Sequence, residues 1–159
     1  MKKTLIFCIT IILIIGCSKK KEDPIIEFTK RFDKEDFTCL QDLFIANRGT
    51  FGGKISLIIS KFDSKCPPYT VLIHNNKIEI KNNLLTNKCE DYLEFDQIEA
   101  SVKCFLKYDL KVIGVDKNLN VFINPSEESQ PSLLRKSNSD TIINLKKYKN
   151  LRANWYIKK

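Results

Sequence analysis

Side chains able to carry out acid–base or nucleophilic chemistry are few in this chain. Its single histidine is His74, and nucleophilic catalysis usually pairs such a base with a nearby serine or cysteine. Because His74 lies next to a predicted turn, we interpret it as a solvated residue at a strand end. The sequence contains no nucleophile-elbow, phosphate-loop, dinucleotide-binding, zinc-protease or calcium-loop motif. A hydrolase that works with carboxylates is the enzyme class that these residue types leave open.

Acidic residues cluster between positions 90 and 99. A glycosidase needs only two carboxylates, and Glu90, Glu94 and Glu99 supply that residue type. Acids near the start of a helix are also ordinary partners of the helix dipole, and a helix is predicted in this region. We therefore interpret the cluster as structural and keep a carboxylate hydrolase as the alternative.

The N-terminal segment has the layout of a cleavable secretion signal. Lys2 and Lys3 precede an apolar run over residues 5–15, which stops at Gly16-Cys17. A membrane-spanning helix needs roughly 20 apolar residues, so this run is too short to span. The chain is expected to be exported.

The block Ile14-Ile15-Gly16-Cys17 resembles the lipobox of bacterial lipoproteins. The resemblance implies that the Cys17 sulfur carries a diacylglycerol thioether, that cleavage precedes it, and that its new amine is acylated. It divides the chain into a signal peptide (1–16), a lipid-anchored polar tether (17–23) and a single domain (24–159). The residue after Cys17 is Ser18, whereas an aspartate at this position would resemble an inner-membrane retention signal. The absence of that aspartate favours the outer membrane over the inner one.

Four cysteines remain once Cys8 leaves with the signal and Cys17 carries lipid. An even number in an exported domain predicts two disulfides. Cys66 precedes a predicted hairpin and Cys89 follows it, whereas Cys39 and Cys104 each lie in a predicted helix. We therefore favour the pairs Cys66–Cys89 and Cys39–Cys104. Unpaired buried thiols are the alternative; a metal site is not expected, because there is one histidine and no closely spaced cysteine pair. No cofactor is predicted.

Positive charge is concentrated in the C-terminal tail. The chain has 27 basic and 19 acidic residues, a net charge of +8. Removing residues 1–16 takes away two lysines. The tail then holds eight basic residues against Asp140: Arg135, Lys136, Lys146, Lys147, Lys149, Arg152, Lys158 and Lys159. Lys146, Lys147, Lys149 and Arg152 form a possible surface for an anionic envelope component or an acidic protein, with a solvated face as the alternative. Nucleic acid is not expected as a partner, because a lipid-anchored envelope protein meets lipid head groups, polysaccharide and other proteins far more often than DNA or RNA.

Helical patterns occur at three places. Asp23 and Pro24 predict a helix start, followed by a second helix over residues 34–46 that Gly49 would end. Asp96 and Glu99 predict a capping box for a central helix with an apolar stripe. That stripe comprises Ile98, Val102, Phe105 and Leu106.

Strand patterns fill most of the rest. Residues 54–59 alternate, residues 70–81 predict a hairpin that turns at Asn75-Asn76, and residues 112–123 predict a second hairpin. Leu133-Leu134 is assigned to a short helix, and residues 141–147 and 151–157 to strands. In the last strand Ala153, Trp155 and Ile157 share a face.

This order of elements predicts an α+β fold: a mostly antiparallel sheet, with the N-terminal helices and one central helix packed on one face. The function that fits best is a non-enzymatic binding or interaction lipoprotein, held at the membrane by its lipid anchor. A small envelope hydrolase is the alternative. A concave pocket with converging acids would favour the enzyme, and exposed aromatic residues on a convex surface would favour binding.

Overall fold

The computed structural model describes residues 23–81, 89, 93–124, 132–138 and 144–159. These residues form two α-helices, α1 (Pro24–Arg31) and α2 (Phe95–Phe105), and two short 3₁₀ turns, Thr38–Leu40 and Leu145–Lys147. The strands are β1 (Leu43–Phe51), β2 (Lys54–Lys61), β3 (Tyr69–His74), β4 (Lys77–Ile80), β5 (Val112–Val115), β6 (Val121–Asn124), β7 (Leu133–Arg135), β8 (Tyr148–Arg152) and β9 (Trp155–Lys158). The described part of the chain is thus largely sheet.

The strands form one sheet in the order β4-β3-β2-β1-β5-β6-β7-β9-β8. Each neighbouring pair is antiparallel, so the prediction of a mostly antiparallel sheet is confirmed. β4 and β8 are the outer strands. Lysines on such outer strands discourage pairing with other chains, and both carry them, at Lys77 and Lys149.

The helix that precedes the sheet begins at the expected residue. The Asp23 carboxylate accepts a hydrogen bond of 2.9 Å from the backbone N–H of Ile25, and Pro24 occupies the first turn. The predicted second helix over residues 34–46 is wrong. A 3₁₀ turn and the start of β1 replace it, because Asp42 takes a φ of 61° that a helix cannot continue through. Gly49 lies in β1 at a register shift rather than at a helix end.

The central helix α2 buries Ile98, Val102 and Phe105 as predicted, whereas Leu106 is 41% exposed. Its cap differs from the expected one. Glu94 is the N-cap and forms a capping box with Gln97, because the helix begins two residues earlier than the Asp96–Glu99 pattern requires.

Both predicted hairpins are present, as β3–β4 and β5–β6. Asn75 and Asn76 have φ values of 48° and 60°, as a tight type I′ turn demands. The C-terminal assignments need correction. Leu133 and Leu134 lie in β7, not in a helix. Residues 151–157 belong to two strands, because the chain turns at Ala153 with a φ of 44°; Ala153 is exposed and does not share the face of Trp155.

One hydrophobic core joins α2 to the sheet. Alternate residues of the central strands, such as Ile45, Leu57 and Ile113, are fully buried, as is Trp155. Two disulfides connect the core to its surroundings. They join Cys39 to Cys104, with Cα atoms 6.4 Å apart, and Cys66 to Cys89, with Cα atoms 5.9 Å apart. These are the two pairs that the sequence favoured.

Candidate functional site

Strand direction divides the sheet into two ends with different charge. We call one the basic end: β1, β3, β6 and β9 end there and β2, β4, β5, β7 and β8 begin there, because neighbouring strands are antiparallel. Nine basic residues lie at these strand ends or in the turns beside them: Arg48, Lys54, Lys77, Lys111, Lys146, Lys147, Lys149, Lys158 and Lys159. In the same strand ends and turns, the described acids are Glu79 and Asp109. The fold therefore concentrates positive charge that is spread over more than a hundred residues of sequence.

Two hairpins project from the basic end, and we call them the hairpin arm (residues 47–56 and 73–78). β1 pairs with β5 only over residues 43–46, but it pairs with β2 as far as Phe51. At about 3.3 Å per residue, the β1–β2 tip extends roughly 15 Å beyond the last β1–β5 pair. The β3–β4 turn lies beside it, since Ile55 pairs with Ile73.

Phe51 lies at the tip of the hairpin arm and is 74% exposed, the most exposed of the large hydrophobic side chains in the described residues. Gly52 and Gly53 follow it with φ values of 55° and 74°, a conformation that costs glycine little. The ring of His74 approaches the same turn, with Nδ1 3.3 Å from the carbonyl oxygen of Gly53. His74 is exposed at the end of β3, and its position is that of a turn residue rather than of a catalytic base.

The four basic residues that the sequence grouped are divided by the structure. Lys146, Lys147 and Lys149 are exposed at the basic end. Arg152 lies at the other end of β8, where its Nη2 is 3.4 Å from Oδ2 of Asp33. The indole N–H of Trp155 donates to the other oxygen of the same carboxylate at 3.0 Å. Arg152 therefore helps to fix the segment after α1 and does not belong to the basic end.

Arg135, another basic residue of the tail, is also used structurally. Its guanidinium lies 4.8 Å from the ring centroid of Phe37 and donates to the carbonyl oxygens of Phe32 and Glu35 at 2.8 and 2.9 Å. Burial lowers the pKa of Arg135, and the nearby carboxylates, Asp33 foremost, oppose this shift. This arginine is a structural group that holds the connection between α1 and β1.

The opposite end of the sheet, which we call the cavity end, contains two adjoining cavities. One, of about 440 Å³, is lined by Asp42, Phe62, Asp63, Asp116, Lys117 and Asn118. The other, of about 410 Å³, is lined by Cys39, Gln41, Asp42, Leu43, Lys61, Leu93, Gln97 and Ala100. Asp42 lines both cavities. Three carboxylates thus surround the first cavity, next to an aromatic wall.

The carboxylate of Asp116 is occupied by its own loop. Its Oδ1 accepts hydrogen bonds from the backbone N–H groups of Asn118 and Asn120, and its Oδ2 accepts one from the Asn120 side chain, each at 2.8 Å. The aromatic wall is also packed, since the ring of Phe62 stacks on that of Phe122 with centroids 5.2 Å apart. Asp116 therefore builds the β5–β6 turn, and Asp42 and Asp63 are the carboxylates of this cavity without that role.

Each acid that the sequence singled out either has a structural contact in α2 or lies outside the described residues. Glu94 caps α2, and Glu99 forms an ion pair of 2.6 Å with Lys103 one turn along the helix. Glu90 and Cys17 lie outside the described residues. Within the described residues, histidine, cysteine and acidic side chains form no group of three that could hold a metal ion, and no helix there has the length and apolar character needed to cross a bilayer.

Sequence reasoning missed Phe51 and the cations of the hairpin arm. The stretch around Gly52-Gly53 was interpreted only as a break between elements. A large aromatic residue placed directly before two glycines was the available signal. Comparison with known proteins adds no assignment: no family model, curated protein or solved structure matches this chain.

Proposed function

We propose that this protein is a lipid-anchored binding protein of the bacterial cell envelope, held by lipid on Cys17, that contacts an anionic envelope component through its basic end. The lipobox-like block at residues 14–17 supports the anchor. The observation that carries the binding role is that nine basic residues lie along one end of the sheet, against two described acids. The favoured location is the outer membrane, and the role is non-enzymatic.

The excess of cations at the basic end is the physical basis of this proposal. Lys54 and Lys77 come from the hairpin arm, and Lys146 and Lys147 from the turn before β8, so opposite edges of the sheet contribute to the same end. Clustered charges of one sign raise the local concentration of opposite charges and speed their association. Because exposed charges are screened over about 10 Å at 0.1 M salt, binding of this type must weaken as salt rises.

The binding role is tested by charge-matched variants of the full chain. Lys146, Lys147 and Lys149 are replaced together by glutamine, and retention on dextran sulfate and on anionic phosphatidylglycerol vesicles is measured at about 50 mM and about 500 mM NaCl. We expect weaker retention at low salt on at least one of these anionic probes, with a nearly unchanged melting temperature. The control replaces three lysines at the cavity end, Lys61, Lys65 and Lys117, by glutamine and should retain wild-type binding. Equal binding by all chains on both probes would contradict the proposal.

The anchor is tested separately. Metabolic labelling with a fatty-acid analogue should mark the wild-type chain but not Cys17→Ala, because the thioether needs the cysteine sulfur. Equal labelling of both chains would remove the anchor from the proposal without affecting the binding measurement.

The carboxylate hydrolase is the second candidate, and the acid-lined cavity is the observation that favours it. Of its acids, Asp42 and Asp63 are the pair that could serve as general acid and as nucleophile or base. If the protein cleaves envelope polysaccharide, Asp42→Asn and Asp63→Asn must each abolish release of reducing ends, while Glu99→Gln must not. Absence of release by the wild-type chain would leave the binding role alone.

A further inference from the structure

We propose that the anionic component that the basic end contacts is the surface of the lipid bilayer itself, with Phe51 inserted among the head groups. This inference deepens the proposed function and rests on it. It commits to anionic lipid rather than to an acidic protein or polysaccharide.

The first argument is the combination of side chains on the hairpin arm. Phe51 is 74% exposed, and Arg48, Lys54 and Lys77 come from the strands that flank the tip. An aromatic side chain next to cations is suited to the membrane interface, where the apolar part enters the head-group region and cations approach anionic lipids. A polyanion without apolar groups would use the cations but not the phenyl ring. An acidic protein would use both, and the vesicle measurements below separate it from lipid.

The second argument is the shape of the sheet at this end. The arm reaches roughly 15 Å beyond the last β1–β5 pair, so Phe51 can enter a bilayer surface before the rest of the sheet meets it. Lys111 lies behind it, at the base of the arm, because its carbonyl oxygen accepts a hydrogen bond of 2.8 Å from the backbone N–H of Asn47. The arm and Lys111 thus present cations at two depths along the approach to a charged plane.

The third argument is the length of the tether. If Cys17 carries lipid, six peptide units connect it to Asp23, and they span at most about 20 Å. The folded residues are then held close to the bilayer at all times. At this distance a weak contact between the arm and the lipid becomes intramolecular, which raises its occupancy well above that of a free domain.

The test uses the mature chain in two forms. The unlipidated form, residues 18–159, carries neither the apolar run at residues 5–15 nor Cys17. It is mixed with vesicles of phosphatidylcholine alone and with vesicles that also contain phosphatidylglycerol, and the bound fraction is measured by sedimentation. We expect binding to the anionic vesicles only. Each cation near a charged membrane surface strengthens binding by about fivefold, so replacing Lys54 and Lys77 by glutamine should weaken it roughly 30-fold. The matched pair Lys61→Gln and Lys117→Gln should have little effect.

Phe51 is tested in the same assay. Phe51→Ala should weaken binding by roughly 10-fold, because a phenyl ring that leaves water contributes at least that much. The matched control is Phe95→Ala, which removes a 50% exposed phenyl ring at the start of α2. If both alanine variants bind like the parent chain, or both weaken equally, insertion of Phe51 is wrong.

The lipidated chain provides a direct measure of depth. Phe51→Trp is reconstituted into anionic vesicles that contain brominated lipid, which quenches tryptophan fluorescence on contact. The added tryptophan should be quenched and its emission shifted to shorter wavelength, whereas wild-type emission should not change, because the wild-type chain has only Trp155, which is fully buried. Unquenched emission from the added tryptophan would overturn the inference.

The outcomes separate this inference from the proposed function. Binding of the basic end to dextran sulfate without any binding to vesicles would keep the proposed function and overturn the lipid assignment. Failure of fatty-acid labelling with intact, Phe51-dependent vesicle binding would remove the anchor and support the lipid contact.

Discussion

Trp155 provides the sharpest test of how the C-terminal strands are held. The side chain is fully buried, and its indole N–H donates to Oδ1 of Asp33 at 3.0 Å. Asp33 also pairs with Arg152. We expect Trp155→Ala to lower the free energy of unfolding by about 3–5 kcal/mol, the usual cost of emptying a buried aromatic site.

A second variant separates the hydrogen bond from the packing. Trp155→Phe keeps most of the apolar contact but removes the donor, leaving one oxygen of Asp33 without its partner. Because the Asp33 side chain is 29% exposed, water can replace part of that bond. The expected loss is therefore about 1–2 kcal/mol rather than the full penalty of a buried unpaired charge.

The assay is denaturant unfolding followed by far-ultraviolet circular dichroism with both disulfides intact. Fluorescence is unsuitable because Trp155 is the only tryptophan. Phe51→Ala is the matched control, since it removes an aromatic ring that is 74% exposed and should change the free energy of unfolding by less than about 0.5 kcal/mol. A Trp155→Ala chain as stable as this control would refute the assignment of Trp155 to the core.

Three further predictions concern single features of the fold. Gly114→Ala should destabilise the domain by about 1–2 kcal/mol, because the added Cβ would lie 2.7 Å from Cε2 of Phe62. In a chain that already carries Phe62→Ala, calorimetry should show no such loss of stability from Gly114→Ala. Replacing Cys66 and Cys89 by serine should cost roughly 3.4 kcal/mol in denaturant unfolding, the chain entropy of a loop of about 24 residues, and an unchanged midpoint would contradict this. The Asp36 carboxylate accepts a backbone N–H two residues on at 2.9 Å, which holds its pKa below the usual range. The stability difference between wild type and Asp36→Ala should therefore be complete at neutral pH and shrink as pH falls below about 4, whereas a difference that grew in acid would have the wrong sign.

Local sequence signals predicted the elements whose contacts are local. The Asp23 cap needs only Ile25, and the β3–β4 turn needs only two residues that tolerate positive φ. The helix predicted over residues 34–46 was wrong because its evidence was local: Phe37, Leu40 and Phe44 have helical spacing. In the structure Ile45 is instead fully buried in β1, where it pairs with Ile59 and Ile113. Those partners are distant in the sequence, so tertiary pairing overrode the local pattern.

The candidate site was hidden for the same reason. A charge count along the chain finds Lys146, Lys147 and Lys149 together, but it cannot show that Lys54 and Lys77 lie at the same end of the sheet as these lysines. That placement depends on strand direction, since each antiparallel step returns the chain to the end it left. The count also includes Arg152, four residues from the beginning of β8, which the same strand carries to the cavity end, where Asp33 binds it. The nine-strand order thus places cations from both edges of the sheet along one end, and it brings Asp42, Asp63 and Asp116 around a cavity at the other. If the basic end lies on anionic lipid, the two cavities of the cavity end face away from the membrane, toward whatever else the protein meets in the envelope.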